Sequence, residues 1–138
     1  MKFSEIAKEK WQELRPYLDT CLLPVTMLDG TEEPWQAADR LEELRDVLDL
    51  VEIPFMGRVV TYPAFHYADA EALENALAKL CGRLKDMGFV YLIVAFRELP
   101  AGWTRERLIG NCDMWYEGTE TAVREAIMEM WGKSPNKA

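Results

Sequence analysis

The sequence predicts an α/β fold, a three-layer sandwich around a mostly parallel, roughly four-stranded sheet. Short apolar stretches alternate with amphipathic stretches that are long enough for helices. The segment Phe89–Phe96 carries no polar group except a tyrosine hydroxyl, which is typical of a strand covered by helices on both faces. The 138 residues fit one domain, which we place at residues 1–132, with residues 133–138 as a disordered tail.

The beginning of the chain predicts a helix followed by a strand. Ser4 is the expected N-cap of a helix that ends near Leu14, because a proline follows two residues later. Residues 20–28 predict the first strand. Pro24 within it lacks a backbone N–H, which favours a bulge or an edge position.

A second helix and a second strand follow. Thr31, two acidic residues and Pro34 are typical of a helix start, and the helix should run to about Leu50. Residues 57–62 predict the second strand. The helix should bury an apolar stripe and expose an acidic face. The stripe is Trp35, Ala38, Leu41, Leu44, Leu48 and Val51, and the acidic face is Asp39, Glu42, Glu43, Asp46 and Asp49.

The second half predicts two more helices around two strands. Asp69 should cap a helix whose apolar residues repeat at three and four positions up to Met87, with Gly88 as its C-cap. In residues 111–117 every second side chain, Cys112, Met114 and Tyr116, falls on one side, and this alternation predicts a strand near a sheet edge. The last helix should open at Thr119, bury Val123, Ala126, Ile127, Met130 and Trp131, and stop at Gly132.

Charge and hydropathy exclude two classes of partner. The net charge is −8, and the nine acidic residues between Asp29 and Glu52 face only two arginines. Nucleic-acid binding needs a cationic surface, so we expect none. The longest uncharged apolar run, Met87–Phe96, is too short to cross a membrane, and the N-terminus lacks the apolar core of a signal peptide. We therefore expect a cytoplasmic protein.

Cysteine spacing and the absence of known motifs narrow the chemistry further. Cys21, Cys81 and Cys112 are isolated from one another and odd in number, which is typical of buried thiols in a reducing compartment. The sequence has no Gly-rich phosphate loop, no HExxH and no GxSxG, so we expect no cofactor and no metal. Magnesium sites made of carboxylates alone have no fixed sequence spacing, so the sequence does not exclude one.

Two segments carry a resemblance to a known family. YLDTCLLP at residues 17–24 and GRVVTYPAFHY at residues 57–67 resemble the YpiF-like family, small uncharacterised proteins of spore-forming Gram-positive bacteria. Length and element order are similar over most of the chain, although residues 103–110 have no counterpart. The resemblance implies a cytosolic protein of unknown role and assigns no catalytic residue.

The edge at which parallel strands end is the place where we expect a ligand, since α/β sheets bind ligands there. An arginine and a histidine at this edge would suit a small anionic ligand. Each candidate also has a purely structural interpretation, as a turn residue, a packed histidine or a local ion pair. The ligand-binding candidates are Asp29, His66, Tyr67, Arg97 and Glu98.

The sequence favours a cytosolic non-catalytic binding or accessory protein of unknown role over an enzyme. The alternative is a small-molecule enzyme or binder with its site at the carboxyl ends of the strands. The expected partner is an unknown protein or a small anionic ligand, and a homodimer is one expected assembly. The acidic helix face would suit cations or a basic partner, or is only a solvated surface. Asp19 and Thr20 should lie at the opposite edge and cap a turn.

Overall fold

The computed structural model describes residues 1–66, 70–118 and 121–136. Two short 3₁₀ turns, Phe3–Glu5 and Ala70–Ala72, accompany the helices and strands. In chain order these are α1 (Lys8–Leu14), β1 (Thr20–Val25), α2 (Pro34–Glu52), β2 (Val59–Thr61), α3 (Leu73–Met87), β3 (Tyr91–Phe96), β4 (Met114–Glu117) and α4 (Val123–Trp131).

The four strands form one sheet in the order β2–β1–β3–β4, and every neighbouring pair is parallel. Two hydrophobic clusters cover its two faces. One contains residues of α3, with α1 packed beside them, and the other contains residues of α2 and α4. The predicted α/β class, the four-stranded parallel sheet and the layered arrangement are confirmed.

β1 and β3 are the inner strands, and all their residues are buried. Successive side chains alternate between the two faces. Cys21 and Leu23 therefore pack toward α3, whereas Leu22 packs toward α2. β4 lies at an edge, as predicted, and the Tyr116 hydroxyl fastens it to α2 by donating to the Val47 carbonyl at 2.7 Å.

Pro24 lies in an inner strand without breaking the ladder. Two residues before it, the Leu22 carbonyl accepts a hydrogen bond from Tyr62 N–H. Two residues after it, Thr26 N–H donates to the Phe65 carbonyl, so both bonds are made on the side of β2. The N–H that proline lacks would therefore point past the end of β2, which stops at Thr61. The Pro24 carbonyl accepts a hydrogen bond from Phe65 N–H at 2.7 Å, so only the donor is missing. The predicted bulge or edge position is therefore wrong, because β1 is an inner strand with an unbroken register to β3.

Several predicted ends are wrong in the first half. Ser4 lies in the 3₁₀ turn, and α1 begins at Lys8 with Ala7 as its N-cap. β1 stops at Val25 rather than at residue 28, and Met27 adopts a φ of 63°, which is incompatible with a strand. β2 is likewise shorter than predicted. Apolar composition predicted these strands but not the turns that end them.

The N-terminal half of α2 is the main difference from the predicted core. Trp35 is 65% exposed and Leu41 is 43% exposed, and Ala38 is exposed as well. The first three turns of α2 therefore bury none of their residues. The buried side chains all lie in the second half of the helix, and they are Leu44, Val47, Leu48 and Val51.

The second half of the chain follows the prediction more closely. α3 ends at Gly88, whose φ of 129° suits glycine, but Met87 is 45% exposed. In α4, Ala126 is exposed, and Gly132 is the C-cap as predicted. The predicted caps Asp69 and Thr119 lie outside the described residues.

The connection from β3 to β4 contains no helix, although it joins two parallel strands. Trp103, Ile109 and Cys112 from this segment are buried in the α3-side cluster. Trp103 and Trp115 both contact the Phe96 ring, so this tryptophan pair packs against the core. In the described part of the chain, no helix is both long and apolar enough to cross a membrane.

Candidate functional site at the carboxyl edge

The residues that follow the strands meet at one edge of the sheet, which we call the carboxyl edge. The strands are parallel, so the residues after β1, β2 and β3 leave at the same side. β1 lies between the other two. His66 and Arg97 thus follow strands that are two positions apart, roughly 10 Å at ordinary strand spacing.

His66 is held by a buried threonine. The Thr26 hydroxyl lies 2.8 Å from His66 Nδ1 and also 3.3 Å from the Phe65 carbonyl, and it accepts a hydrogen bond from Leu28 N–H. Thr26 is fully buried, whereas the imidazole is exposed. The Thr26 contact fixes one ring nitrogen, and Nε2 has no hydrogen bond among the described residues. Tyr67, the neighbouring candidate, lies outside them.

Asp29 acts as a turn residue. Its carboxylate accepts hydrogen bonds from Thr31 Oγ1 at 2.6 Å and from Thr31 N–H at 3.0 Å. These bonds to the charged form hold the pKa of Asp29 below its ordinary value. The turn is closed by the buried carboxylate of Glu32, which accepts from Asp29 N–H and Gly30 N–H and pairs with Arg40.

Arg97 is engaged by two carboxylates. Its guanidinium donates to Glu43 at 3.0 Å and to Glu98 at 2.7 Å, and only 16% of its side chain is exposed. Glu43 belongs to α2, so this ion pair joins the helix to the end of β3. The local Arg97–Glu98 pair is the structural interpretation that the sequence allowed. The arrangement neutralises the charge that would attract an anion.

Glu117 is a residue of this edge that sequence reasoning missed. It ends β4, its side chain is only 7% exposed, and Arg105 pairs with it at 3.0 Å. The following Gly118 N–H donates to the Arg97 carbonyl. The only sequence signal was a carboxylate in an apolar strand, because the arginine that pairs with it lies twelve residues away.

Four cavities in the described part of the chain lie away from the candidate residues of the carboxyl edge. Asp29, His66 and Arg97 line none of them. One is an apolar groove of about 300 Å³ beside α1, and another, of about 720 Å³, lies near the start of β3. The carboxyl edge therefore brings the candidates to one side of the sheet without joining them in one of these cavities.

The opposite edge holds a closely connected polar cluster. Arg58 donates to both Asp19 carboxylate oxygens, at 2.9 and 3.1 Å, and its guanidinium lies 4.0 Å from the centre of the Trp131 ring. Thr20 donates to Asp19 and accepts from Trp131 Nε1. The Asp19–Thr20 pair therefore joins β1 to β2 and α4, and does more than cap a turn.

The three thiols are poor nucleophiles in the folded chain. Cys21, Cys81 and Cys112 are buried and unpaired. Burial raises the pKa of Cys81 to about 12, and it raises the pKa values of the other two thiols further above their ordinary range. Because the thiolate is the reactive form, none of these side chains is activated for catalysis.

Comparison with known proteins identifies one family. Residues 9–111 match the model of a family described as protein of unknown function (DUF2487). The matched range contains β1, β2 and β3 with their carboxyl-edge residues, and it ends before β4 and α4. No curated protein and no solved structure matches the chain significantly.

Proposed function

Since the chain belongs to the family of proteins of unknown function (DUF2487), whose description names no reaction, we propose that it is a non-catalytic binding or accessory protein. One observation carries this proposal. Every described ligand candidate at the carboxyl edge is already bonded within the chain, Asp29 by its own turn, His66 by Thr26, and Arg97 and Glu98 by each other.

Two finer parts of the proposal concern origin and location. We assign the chain to the YpiF-like proteins of spore-forming Gram-positive bacteria, because residues 17–24 and 57–67 resemble theirs. These two segments supply Asp19, Thr20 and Arg58 to the polar cluster, which gives their residue choice a structural reason. Three buried, unpaired thiols support a reducing, cytoplasmic location.

The alternative is a small-molecule binder or enzyme at the carboxyl edge. Met27, with a φ of 63°, supports it, because non-glycine residues in this region are uncommon and concentrate at functional sites. It lies directly after Thr26, which holds His66. An anionic ligand would have to displace Glu43 or Glu98 from Arg97, so binding would come at the expense of an existing ion pair.

A thermal-shift titration with small anions separates the two functions. We would measure Tm with inorganic phosphate, citrate and a nucleoside triphosphate, each up to 10 mM, in wild type and in His66→Ala. The proposed function predicts the same small shift in both proteins. A saturable rise of several degrees that is lost in His66→Ala would instead establish the alternative.

The assembly is tested separately. Sedimentation velocity over a hundredfold range of concentration would reveal a homodimer as a species of twice the 15.9 kDa monomer mass. A homodimer at micromolar concentration would make the second copy the first partner to consider. A monomer throughout would leave a different protein as the binding partner.

A further inference from the structure

The outer face of α2 is a helix face without a partner in the described structure. Residues 35, 39, 42, 46, 49 and 53 recur at alternating spacings of four and three, so they form one stripe along the helix. Ile53, the C-cap residue, continues the helical geometry. We call this the outer stripe, and it consists of Trp35, Asp39, Glu42, Asp46, Asp49 and Ile53.

The two ends of the outer stripe are apolar and exposed. Trp35 is 65% exposed and Ile53 is 66% exposed, and the two residues lie about 27 Å apart at the rise of an α-helix. Other residues, among them Leu44 and Val51, form the buried side of the helix that faces the core. An indole and a branched aliphatic side chain are therefore left in water where nothing in the fold requires them.

The middle of the outer stripe is acidic and unneutralised. Asp39, Glu42 and Asp46 are exposed, Asp49 is half-buried, and none of the four forms an ion pair within the described residues. Arg40 pairs with Glu32 and Arg97 pairs with Glu43. Arg45 of α2 is exposed, lies beside the outer stripe rather than in it, and forms no ion pair within the described residues. Like charges at these spacings repel one another, so the isolated face is electrostatically unfavourable.

We propose that the outer stripe of α2 docks a lysine- or arginine-rich polypeptide segment that is apolar at its two ends. Basic side chains would remove the repulsion between the four carboxylates, and a cation over the exposed Trp35 ring would gain a cation–π contact. Apolar residues of the partner would cover Trp35 and Ile53. This inference rests on the proposed function and names its partner class.

Charge excludes the other occupants. A second copy docking through the same face would set four carboxylates against four more, in a chain whose net charge is already −8. Nucleic acid and anionic membrane surfaces would be repelled for the same reason. A basic polypeptide is the occupant whose charge complements this face and whose apolar residues suit both of its ends.

The test is a binding titration with a defined probe. The probe is a 20-residue helical peptide with lysines at the positions facing the carboxylates and leucines at both ends. The same peptide with glutamate in place of lysine serves as the control probe. Affinity for the full chain is measured by calorimetry at 50 mM and 500 mM NaCl.

Two matched variants locate the site. Asp39→Asn with Asp46→Asn removes two charges from the outer stripe, and Glu9→Gln with Glu106→Gln removes two exposed charges elsewhere. We expect the stripe variant to lose about tenfold in affinity at 50 mM NaCl and the control variant to lose less than twofold. Equal losses, or no binding of the lysine peptide to wild type, would overturn the proposal.

A third variant tests the apolar end of the stripe. Trp35→Ala should weaken binding at both salt concentrations, since packing is not screened, whereas the effect of the charge variant should disappear at 500 mM NaCl. An unchanged affinity in Trp35→Ala would overturn the proposal, because the proposed partner has to cover this indole. Neither result depends on His66 or Arg97, so failure here is distinct from failure of the proposed function.

Discussion

Cys81 shows how burial controls chemistry at the scale of single residues. Its thiol is fully buried, and desolvation is the largest cause of its raised pKa; the charge of Lys85 opposes this rise, whereas that of Asp113 adds to it. The carboxylate of Glu117 is buried as well, and Arg105 pairs with it at 3.0 Å. Burial thus keeps the Cys81 thiol in its unreactive, protonated form.

The raised pKa of Cys81 predicts a loss of stability at alkaline pH. The folded pKa of about 12 exceeds the unfolded value, so the stabilisation is complete below about pH 8.5 and is lost as pH rises toward the folded pKa. Between pH 8 and 10, Cys81→Ala should therefore lose about 1–2 kcal/mol less unfolding free energy than wild type in urea titrations. Leu80→Ala should follow wild type, and an identical pH slope in Cys81→Ala would contradict the prediction.

Gly118 is required by space. A Cβ there would lie 2.6 Å from the Arg97 carbonyl oxygen and 3.0 Å from Val47 Cγ2, so the backbone after β4 would have to move away from the backbone after β3 and from α2. We expect Gly118→Ala to cost about 1–3 kcal/mol of unfolding free energy. Gly57→Ala, where nothing lies within 4 Å, should stay within about 0.5 kcal/mol. Equal urea midpoints for the two variants would show that the contact relaxes freely.

At the scale of elements, the apolar pattern of a helix predicts that the helix forms better than it predicts which of its residues are buried. β3 could be predicted because its unbroken apolar run fits a buried strand. α3 could be predicted because its apolar residues repeat at helical spacing and Gly88 marks its end. The apolar stripe predicts that Trp35 and Leu41 are buried, but both are exposed, because a stripe does not reveal how far a helix extends past the sheet. The α2–β3 ion pair was also unpredictable, since Glu43 and Arg97 are joined only by the fold.

Two leucines test this difference between helices. Leu77 in α3 is fully buried, and Leu77→Ala should lower the free energy of unfolding by about 2–5 kcal/mol, because the substitution deletes buried apolar atoms and leaves a cavity. Leu41→Ala in the exposed half of α2 should change stability by less than about 0.5 kcal/mol. Urea unfolding of both variants measures this, and a cost below about 1 kcal/mol for Leu77→Ala would mean that α3 is placed wrongly.

The outer stripe of α2 predicts an unusual salt response. Asp39→Asn with Asp46→Asn removes every neighbouring like-charge pair along the stripe, each worth about 0.2–0.5 kcal/mol. At 50 mM NaCl this variant should be about 0.5–1.5 kcal/mol more stable than wild type, and the difference should vanish at 500 mM. The Glu9→Gln, Glu106→Gln control should show no such gain. A stripe variant no more stable than wild type at low salt would contradict the prediction.

At the scale of the whole molecule, the C-terminal quarter completes the sheet and its second covering layer. Tyr116, Val123, Ile127 and Met130 all belong to the cluster on the α2 face. Trp131 also contacts Arg58 and Thr20 of the polar cluster at the edge opposite the carboxyl edge. The family match ends at residue 111, before any of these residues, so the matched range lacks part of this core.

Truncation tests whether this part of the chain is needed for folding. A chain ending at Asn111 would leave β3 with an unpaired edge and remove every β4 and α4 side chain from the α2-face cluster, so we expect it to be unfolded. A chain ending at Lys133 keeps both elements and gives up hydrogen bonds of Asn136, among them those with Asp113, Cys112 and Lys85. It should retain the dispersed amide spectrum of wild type. A dispersed spectrum for the shorter chain would show that residues 1–111 fold alone and that β4 and α4 are additions to a smaller domain.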